Sequence, residues 1–433
     1  MINVEIRKER TSMELLEKVL DDKNLFEAYK QVYKNKGASG VDGVTIDELG
    51  YYMFKHKEEI KEQIRNRKYK PSPVRRVYIP KENGDKRGLG IPTVVDRLIQ
   101  QAIVQVLSPV YEKQFNETSY GFRPNRSCEM AIIKLLEYFN DGYTWIVDID
   151  LQKFFDTVCH DKLISIIMRT IHDGELVSLI RKYLVSGVME NGVISPTKVG
   201  TPQGGNLSPL LSNIMLNELD KELEKRGLKF TRYADDCIIV VQSEKAANRV
   251  MESITRFIEK KLGLKVNVER SKVTRPNQIK YLGFGFYYTT TGKIKPKPHL
   301  KSIQKFKRKL KQLTKRSWSI SLSERITKLN QVIRGWINYF KIGDMKVKLT
   351  DITSHLSRRI RCTIWKQWKC SKKRIVILIK LGCNKEQAKA IAYSRKSYWN
   401  SSLYISIFIT NKRLKQKGLV FPLDHYLKVH TVI

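Results

Sequence analysis

The chain has 433 residues, 41% of them hydrophobic, which allows about three compact units and excludes general disorder. Its 81 Lys and Arg against 43 Asp and Glu give a formal charge of +38. No apolar run approaches the ~18 residues a membrane helix needs, and the six cysteines, none spaced as CxxC, form no disulfide framework. The mixed-charge start MINVEIRKER lacks the apolar core of a signal peptide, so a reducing, cytosol-like compartment is expected.

Along the chain, MELLEKVL, NLFEAYKQVY and EEIKEQIRNRKY read as helices, with the polar turn KGASGVDG before the third. Pro71 and Pro73 end that run. RRVYIP reads as a strand, and ENGDKRG as a hairpin turn with Asn83-Gly84 at its tip. LIQQAIVQVLSPVYEKQF returns to helix, and TWIVDIDL is rich in β-formers. RYADDCIIVVQS is two β-runs meeting at Ala234-Asp235-Asp236, and ANRVMESITRFIEKKLGL is a helix closed by glycines. Further on, Ile303, Phe306, Leu310 and Leu313 form one helical stripe, with Lys305, Lys307, Arg308 and Lys309 around it. Ile326, Leu329, Ile333, Trp336 and Phe340 form another.

The charge is unevenly spread. Residues 270–433 hold 39 basic and five acidic residues, whereas 1–269 hold 42 and 38. A near-neutral front and a strongly cationic back argue for a polyanionic partner, of which nucleic acid is the commonest. A basic surface kept for solubility alone would repel itself with nothing to neutralise it.

Acidic residues concentrate chemistry in the front half. Asp235 and Asp236 are adjacent at a strand junction that lacks the Gly, Asn or Pro of an ordinary turn. Asp148 and Asp150 lie two apart in an apolar strand and share a face. Carboxylates so placed need a partner to offset desolvation, and a converging set suits hard divalent ions such as Mg²⁺. In-line phosphoryl transfer uses two such ions about 3.5–4 Å apart. The seven histidines make no HExxH or HNH pattern, and Cys362, Cys370 and Cys383 lack zinc-ligand spacing.

The order of motifs resembles the group II intron-encoded reverse transcriptases and maturases nearly end to end. VDIDLQKFFDT, TPQGGNLSPLLSNIMLNELD, RYADD, LKVNVERSK and IKYLGFGF resemble successive palm motifs of that family. RKYKPSPVRRVYIPKENGDKRGLGIPTVVDRLIQQAI resembles its fingers, and SYGFRPNRSC the element after them. RGWINYF resembles maturase domain X, and SRKSYWNSSLYISIFITNKRLKQKGL the C-terminal DNA-binding segment. The resemblance implies an α+β right-hand polymerase. Fingers with an N-terminal extension would occupy 1–115, a palm with an antiparallel sheet 116–290, a helical thumb or domain X 291–370, and a small basic DNA-binding domain 371–433. Nothing resembles the HNH endonuclease of some relatives, so no nicking of target DNA is expected.

Carried over residue by residue, the resemblance makes Asp150, Asp235 and Asp236 the ligands of two Mg²⁺ ions, with Asp148 the rival of Asp150 and Asp236 in a supporting role. Lys272 would stand near the leaving pyrophosphate as a proton donor. Lys81 and Arg87 would hold the dNTP triphosphate, and Phe155, or Phe154, would exclude a 2′-hydroxyl. Gln203 and Gly204 would lie against template or nucleotide, and Arg75 and Arg76 against triphosphate or template. Lys305, Lys307, Arg308 and Lys309 would bind nucleic acid. The implied partners are the parent intron RNA, an RNA template with a DNA primer, target DNA and dNTPs, with no membrane, in a bacterial cytoplasm. The implied function is copying intron RNA into DNA during retrohoming, together with promoting splicing. The alternatives are a splicing-only maturase, a reverse transcriptase of this lineage recruited to another task such as defence, and an RNA-dependent RNA polymerase.

Overall fold

The computed structural model describes residues 15–80, 84–201 and 204–431. The chain divides into two compact units, Met1–Thr274 and Arg275–Ile433.

The first unit contains two four-stranded sheets. In one, β1 (Val74–Pro80) and β2 (Lys86–Ile91) form an antiparallel hairpin. β4 (Val188–Glu190) joins β1 in parallel, and β5 (Val193–Ser195) pairs with β4, so the order is β2-β1-β4-β5. The expected tip at Asn83 lies outside the described residues. The hairpin β4–β5 is absent from the expected strands, although Asn191-Gly192 marks it. Both residues take positive φ, +50° and +83°, as a two-residue turn between right-twisted strands requires.

The other sheet is antiparallel throughout, in the order β6-β7-β3-β8, with β3 at Trp145–Ile149, β6 at Lys229–Tyr233, β7 at Asp236–Val241 and β8 at Lys272–Thr274. Its interior strands read as continuous apolar runs because helices cover them. Helix Glu244–Phe257 crosses β3, β7 and β8, while Ser208–Lys225 and Cys128–Asn140 pack on β6. Ser243 caps the first of these, accepting from the Ala246 amide at 3.3 Å. The helix then loosens into a π-turn over Ile258–Leu262 and stops at Gly263. Helix Val94–Glu112 starts four residues before the expected LIQQ, because the Thr93 hydroxyl caps it by accepting from the Asp96 amide at 3.1 Å.

The second unit opens with the hairpin β9 (Phe284–Tyr288) and β10 (Ile294–Pro298) and is otherwise helical. Helix Leu300–Leu313 buries Ile303, Phe306, Leu310 and Leu313, as its spacing predicts. In helix Leu322–Phe340 the stripe is Ile326, Leu329, Ile333, Ile337 and Phe340. Trp336 is only half-buried there, stacked on Phe306 with ring centroids 4.3 Å apart. Helix Lys346–Gln367 follows, then five shorter helices end at Val429. Among the described residues, no helix is long and apolar enough to cross a membrane.

Candidate active site

A cleft of about 780 Å³ opens in the first unit, where the ends of β3 and of the β6–β7 turn face the β1–β2 hairpin. Asp150, Asp235, Phe155, Arg76, Arg87 and Arg270 are among its walls.

The Asp235 turn is held from behind. Tyr233 pairs with Asp236 across β6–β7, leaving Ala234 and Asp235 as a two-residue turn. Ala234 sits at φ +57°, a region that costs a residue with a Cβ roughly 1–2 kcal/mol. Such strain persists only where the surroundings over-determine the backbone, and here they do. The Ala234 carbonyl accepts from Arg232 Nη1 at 2.8 Å. Arg232, fully buried, forks onto Asp220 through Nε and Nη2 at 2.7 and 2.5 Å and reaches Asn213 Oδ1 at 3.0 Å. Asn213 in turn donates to the Gly121 carbonyl at 2.8 Å. Gly121 lies so close that a Cβ there would stand 2.2 Å from the Ala234 nitrogen. Arg232, Asp220 and Asn213 were not among the expected site residues. Arg232 lies inside RYADD, and a lone arginine before a carboxylate pair is the signal it leaves. Its partner twelve residues upstream is visible only once the helix Ser208–Lys225 folds onto β6.

Asp148 and Asp150 part company in the structure. The strand ends at Ile149, and Asp150, just beyond it, borders the cleft, whereas Asp148 is not among the cleft walls. Asp148 stays in the sheet, opposite Ile238 of β7 and Lys272 of β8. Burial pushes its carboxyl up to about 6, with Lys272 opposing the rise and Asp150 adding to it. Asp150 is fixed by backbone contacts. Its amide donates to Ser271 Oγ at 3.0 Å, its carbonyl accepts from the Asn267 amide at 2.8 Å, and its carboxylate lies 3.9 Å from the Arg270 guanidinium. Asp150 and Asp235 thus both border the cleft, while Asp236 opens β7 as an exposed residue.

Among the described residues, no three His, Cys, Asp or Glu side chains stand close enough to hold a metal ion by themselves. Two cleft carboxylates nonetheless fit Mg²⁺, which is commonly held by one or two carboxylates while water and substrate phosphates complete its shell.

Phe155 is buried and borders the cleft beside Phe154, their rings edge-on at 5.2 Å. The Phe155 carbonyl accepts from the Thr201 amide at 2.6 Å, tying it to the strand of chain that leads into TPQGG. Arg75 and Arg76 diverge, as neighbours on a strand must. Arg76 borders the cleft, whereas Arg75 Nη2 donates to the Ser39 carbonyl at 2.7 Å. Arg87 is in the cleft wall, and Lys81 and Gln203 lie outside the described residues. The close backbone approach at Gly204 is to β2, where a Cβ would meet the Gly90 carbonyl at 2.4 Å. Lys272 is exposed on β8, and Arg270 of the same ERSK motif, which was not singled out, is the cation facing the cleft. In the second unit, Lys305, Lys307, Arg308 and Lys309 all lie on the exposed face of their helix.

Comparison with known proteins adds an independent view. Residues 79–286 match the family described as reverse transcriptase (RNA-dependent DNA polymerase), and residues 303–379 match the group II intron, maturase-specific domain. Protein YkfC of Escherichia coli is 34% identical over 303 residues, covering 61% of this chain and 80% of that one. The group II intron-encoded protein LtrA of Lactococcus lactis is 34% identical over 334 residues, covering 62% of this chain and 55% of LtrA. The chain therefore spans about half of LtrA's length. Among solved structures, a chain of the partial Cas6-RT-Cas1–Cas2 complex is similar over 57% of this chain and 43% of that one, at 23% identity and a TM-score of 0.37.

Proposed function

Because the chain belongs to the family of group II intron-encoded reverse transcriptases and maturases, we propose that its first-unit cleft is where an RNA template is copied into DNA. Its cationic second unit then holds the intron RNA whose splicing it promotes. The observation that carries this reading is the meeting of Asp150 and Asp235 on one cleft with Phe155 and three arginines.

Asp150 and Asp235, with Asp236 in support, would hold two Mg²⁺ ions, which when bound supply charge stabilisation to the attacking 3′-oxygen and the departing pyrophosphate. The protein's own groups do the rest. Arg76 and Arg87, together with Lys81, grip the dNTP triphosphate, for which the planar guanidinium fork is suited. Phe155 fills the space a 2′-hydroxyl would need, favouring dNTP over rNTP. Gln203 and Gly204 lie along template or nucleotide. Lys272 gives a proton to the pyrophosphate, while Arg270 steadies Asp150.

Fingers, palm, thumb and DNA-binding domain are assigned to 1–115, 116–290, 291–370 and 371–433. The exposed Lys305, Lys307, Arg308 and Lys309 engage RNA phosphates. Target DNA, retrohoming and a bacterial cytoplasm complete the proposal. A carboxylate pair kept in an open cleft supports polymerisation over a splicing-only role.

Asp235→Asn is the test. Extension of a DNA primer on an RNA template with Mg²⁺ should fall by at least ~10²-fold, while affinity for intron RNA stays within a few fold. Undiminished extension would remove Asp235 from the chemistry.

A further inference from the structure

The second unit holds a cavity of about 660 Å³ that plays no part in the reading above. Its walls are the loop 314–317, the helix Lys346–Gln367 and the start of the helix Tyr398–Tyr404. That size falls within the ~300–1,000 Å³ of ordinary ligand sites. Lys315, Arg316, Arg359 and Lys366 face it, and its described lining includes no carboxylate. Two further cavities, of about 620 and 300 Å³, share the same loop and add Lys309, Lys328 and Lys369.

The cations are set on aromatic faces. Arg316 lies 4.7 Å, and Lys366 Nζ 5.6 Å, from the centre of the Tyr398 ring, and Arg358 lies 3.9 Å from that of Trp399. Arg358 also donates through Nε and Nη2 to the Trp399 carbonyl, so it braces the indole, while Arg316 and Lys366 bring charge to the cavity wall over Tyr398. The loop that presents Lys315 and Arg316 is itself pinned. Buried Arg325 donates to the carbonyls of Leu313, Lys315 and Trp318 at 2.5, 3.2 and 2.7 Å. Arg359 donates to Thr314 Oγ1 at 2.6 Å and to the Lys311 carbonyl at 3.0 Å. This much fixed positive charge without a nearby carboxylate is costly until an anion arrives. The His355 imidazole, against the Trp399 ring, registers that field. Burial first, then Arg359, Lys307, Lys311 and Arg358, hold it below its ordinary value.

Phosphate alone would explain the cations but not the exposed indole of Trp399 at the rim, 37% accessible. Single strands offer both a phosphodiester and an unpaired base with a π-face, which a duplex conceals. We propose that this pocket grips a single-stranded stretch of nucleic acid, with a phosphodiester among Lys315, Arg316 and Lys366 and the adjoining base against Trp399. The proposal rests on the reading that the second unit binds nucleic acid, and names where and in what form.

The test uses the full chain and fluorescently labelled oligouridylate, oligothymidylate and a hairpin RNA duplex, with anisotropy read over a salt series. Arg316→Gln with Lys366→Gln should weaken single-strand binding ~10-fold and flatten the log–log salt slope by ~1.4. Trp399→Leu should weaken it ~5-fold with the slope unchanged, and Trp399→Phe should restore most of the loss. A merely structural role would not separate the two effects in this way, and equal melting temperatures verify folding. Equal losses for RNA and DNA uphold a grip on the shared phosphodiester, and a loss confined to RNA upholds RNA as the occupant. Equal loss on the duplex overturns the single-strand grip. Wild-type affinity in the Arg316/Lys366 variant, with weakened binding in a variant neutralised at Lys305, Lys307, Arg308 and Lys309, overturns the pocket and leaves the second-unit reading standing. Wild-type affinity in both variants overturns the two together.

Discussion

Arg232 in the first unit and Arg325 in the second are both almost wholly buried, and they are satisfied by opposite means. Arg232 meets a buried carboxylate, Asp220, in a bidentate pair. Arg325 meets backbone carbonyls and the Trp318 ring. The pattern extends through the second unit. Arg358, Arg361, Arg374 and Arg413 donate to the carbonyls of Trp399, Ile409, Trp368 and Phe408. Trp368 and Leu381, a second acceptor for Arg413, cap helix C-termini, where the dipole favours a cation. With five acidic residues after position 269, the region organises these arginines through backbone carbonyls. Most of its positive charge is therefore left over for a polyanion, whereas the first unit nearly balances its charges and keeps a few carboxylates aside for the cleft.

Stability should separate the two arginines most sharply. Asp220→Asn strands a buried guanidinium, so a loss of about 3–5 kcal/mol is expected in urea unfolding. Arg325→Met strands only carbonyls, at about 1–3 kcal/mol. Equal losses would erase the distinction. Arg232→Lys tests the first unit in another way. It keeps the charge but loses the fork and the bond to Ala234, so single-nucleotide incorporation should slow ~10-fold with a smaller change in KM for dNTP.

Salt dependence comes next. Neutralising Lys305, Lys307, Arg308 and Lys309 together should lower the salt slope of single-stranded RNA binding by ~3. An unchanged slope would take that helix out of the cationic surface.

Smallest is the pH response, which belongs to the carboxylate-bearing half. The folded Asp148 carboxyl titrates at about 6, against an ordinary 3.8. The folded chain therefore holds its proton more tightly, and wild-type stability falls as pH rises from about 4 to 6. Asp148→Asn should match wild type near pH 4 and exceed it by about 1–3 kcal/mol at pH 7. Parallel curves would mean that burial of Asp148 costs nothing.

What the sequence made legible follows from the range of each interaction. Helix stripes such as Ile303–Leu313 and the junction at Ala234–Asp236 are local patterns, and they appear where periodicity put them. Asn191-Gly192 was equally local, but its strands are three residues each, too short for alternation to stand out. The choice between Asp148 and Asp150 depended on which of them the folded sheet buries and which it leaves at the cleft, and two positions so close in sequence do not show that. Arg75 was beyond reach because the Ser39 carbonyl that takes it lies 36 positions earlier. The buried pairing of Arg232 with Asp220 has no periodicity at all, and only the packing of a helix on a strand reveals it.

The nearness of Gly121 to the Ala234 amide, where a methyl group would stand 2.2 Å away, bears on how such a polymerase could be re-engineered. The Ala234–Asp235 turn and the segment behind it behave as a mould and its casting, so neither changes shape alone. A mutant library confined to the YADD residues would test every new loop against an unaltered mould and discard most of them. Randomising position 121 and its neighbours at the same time would open conformations that the confined library could never sample.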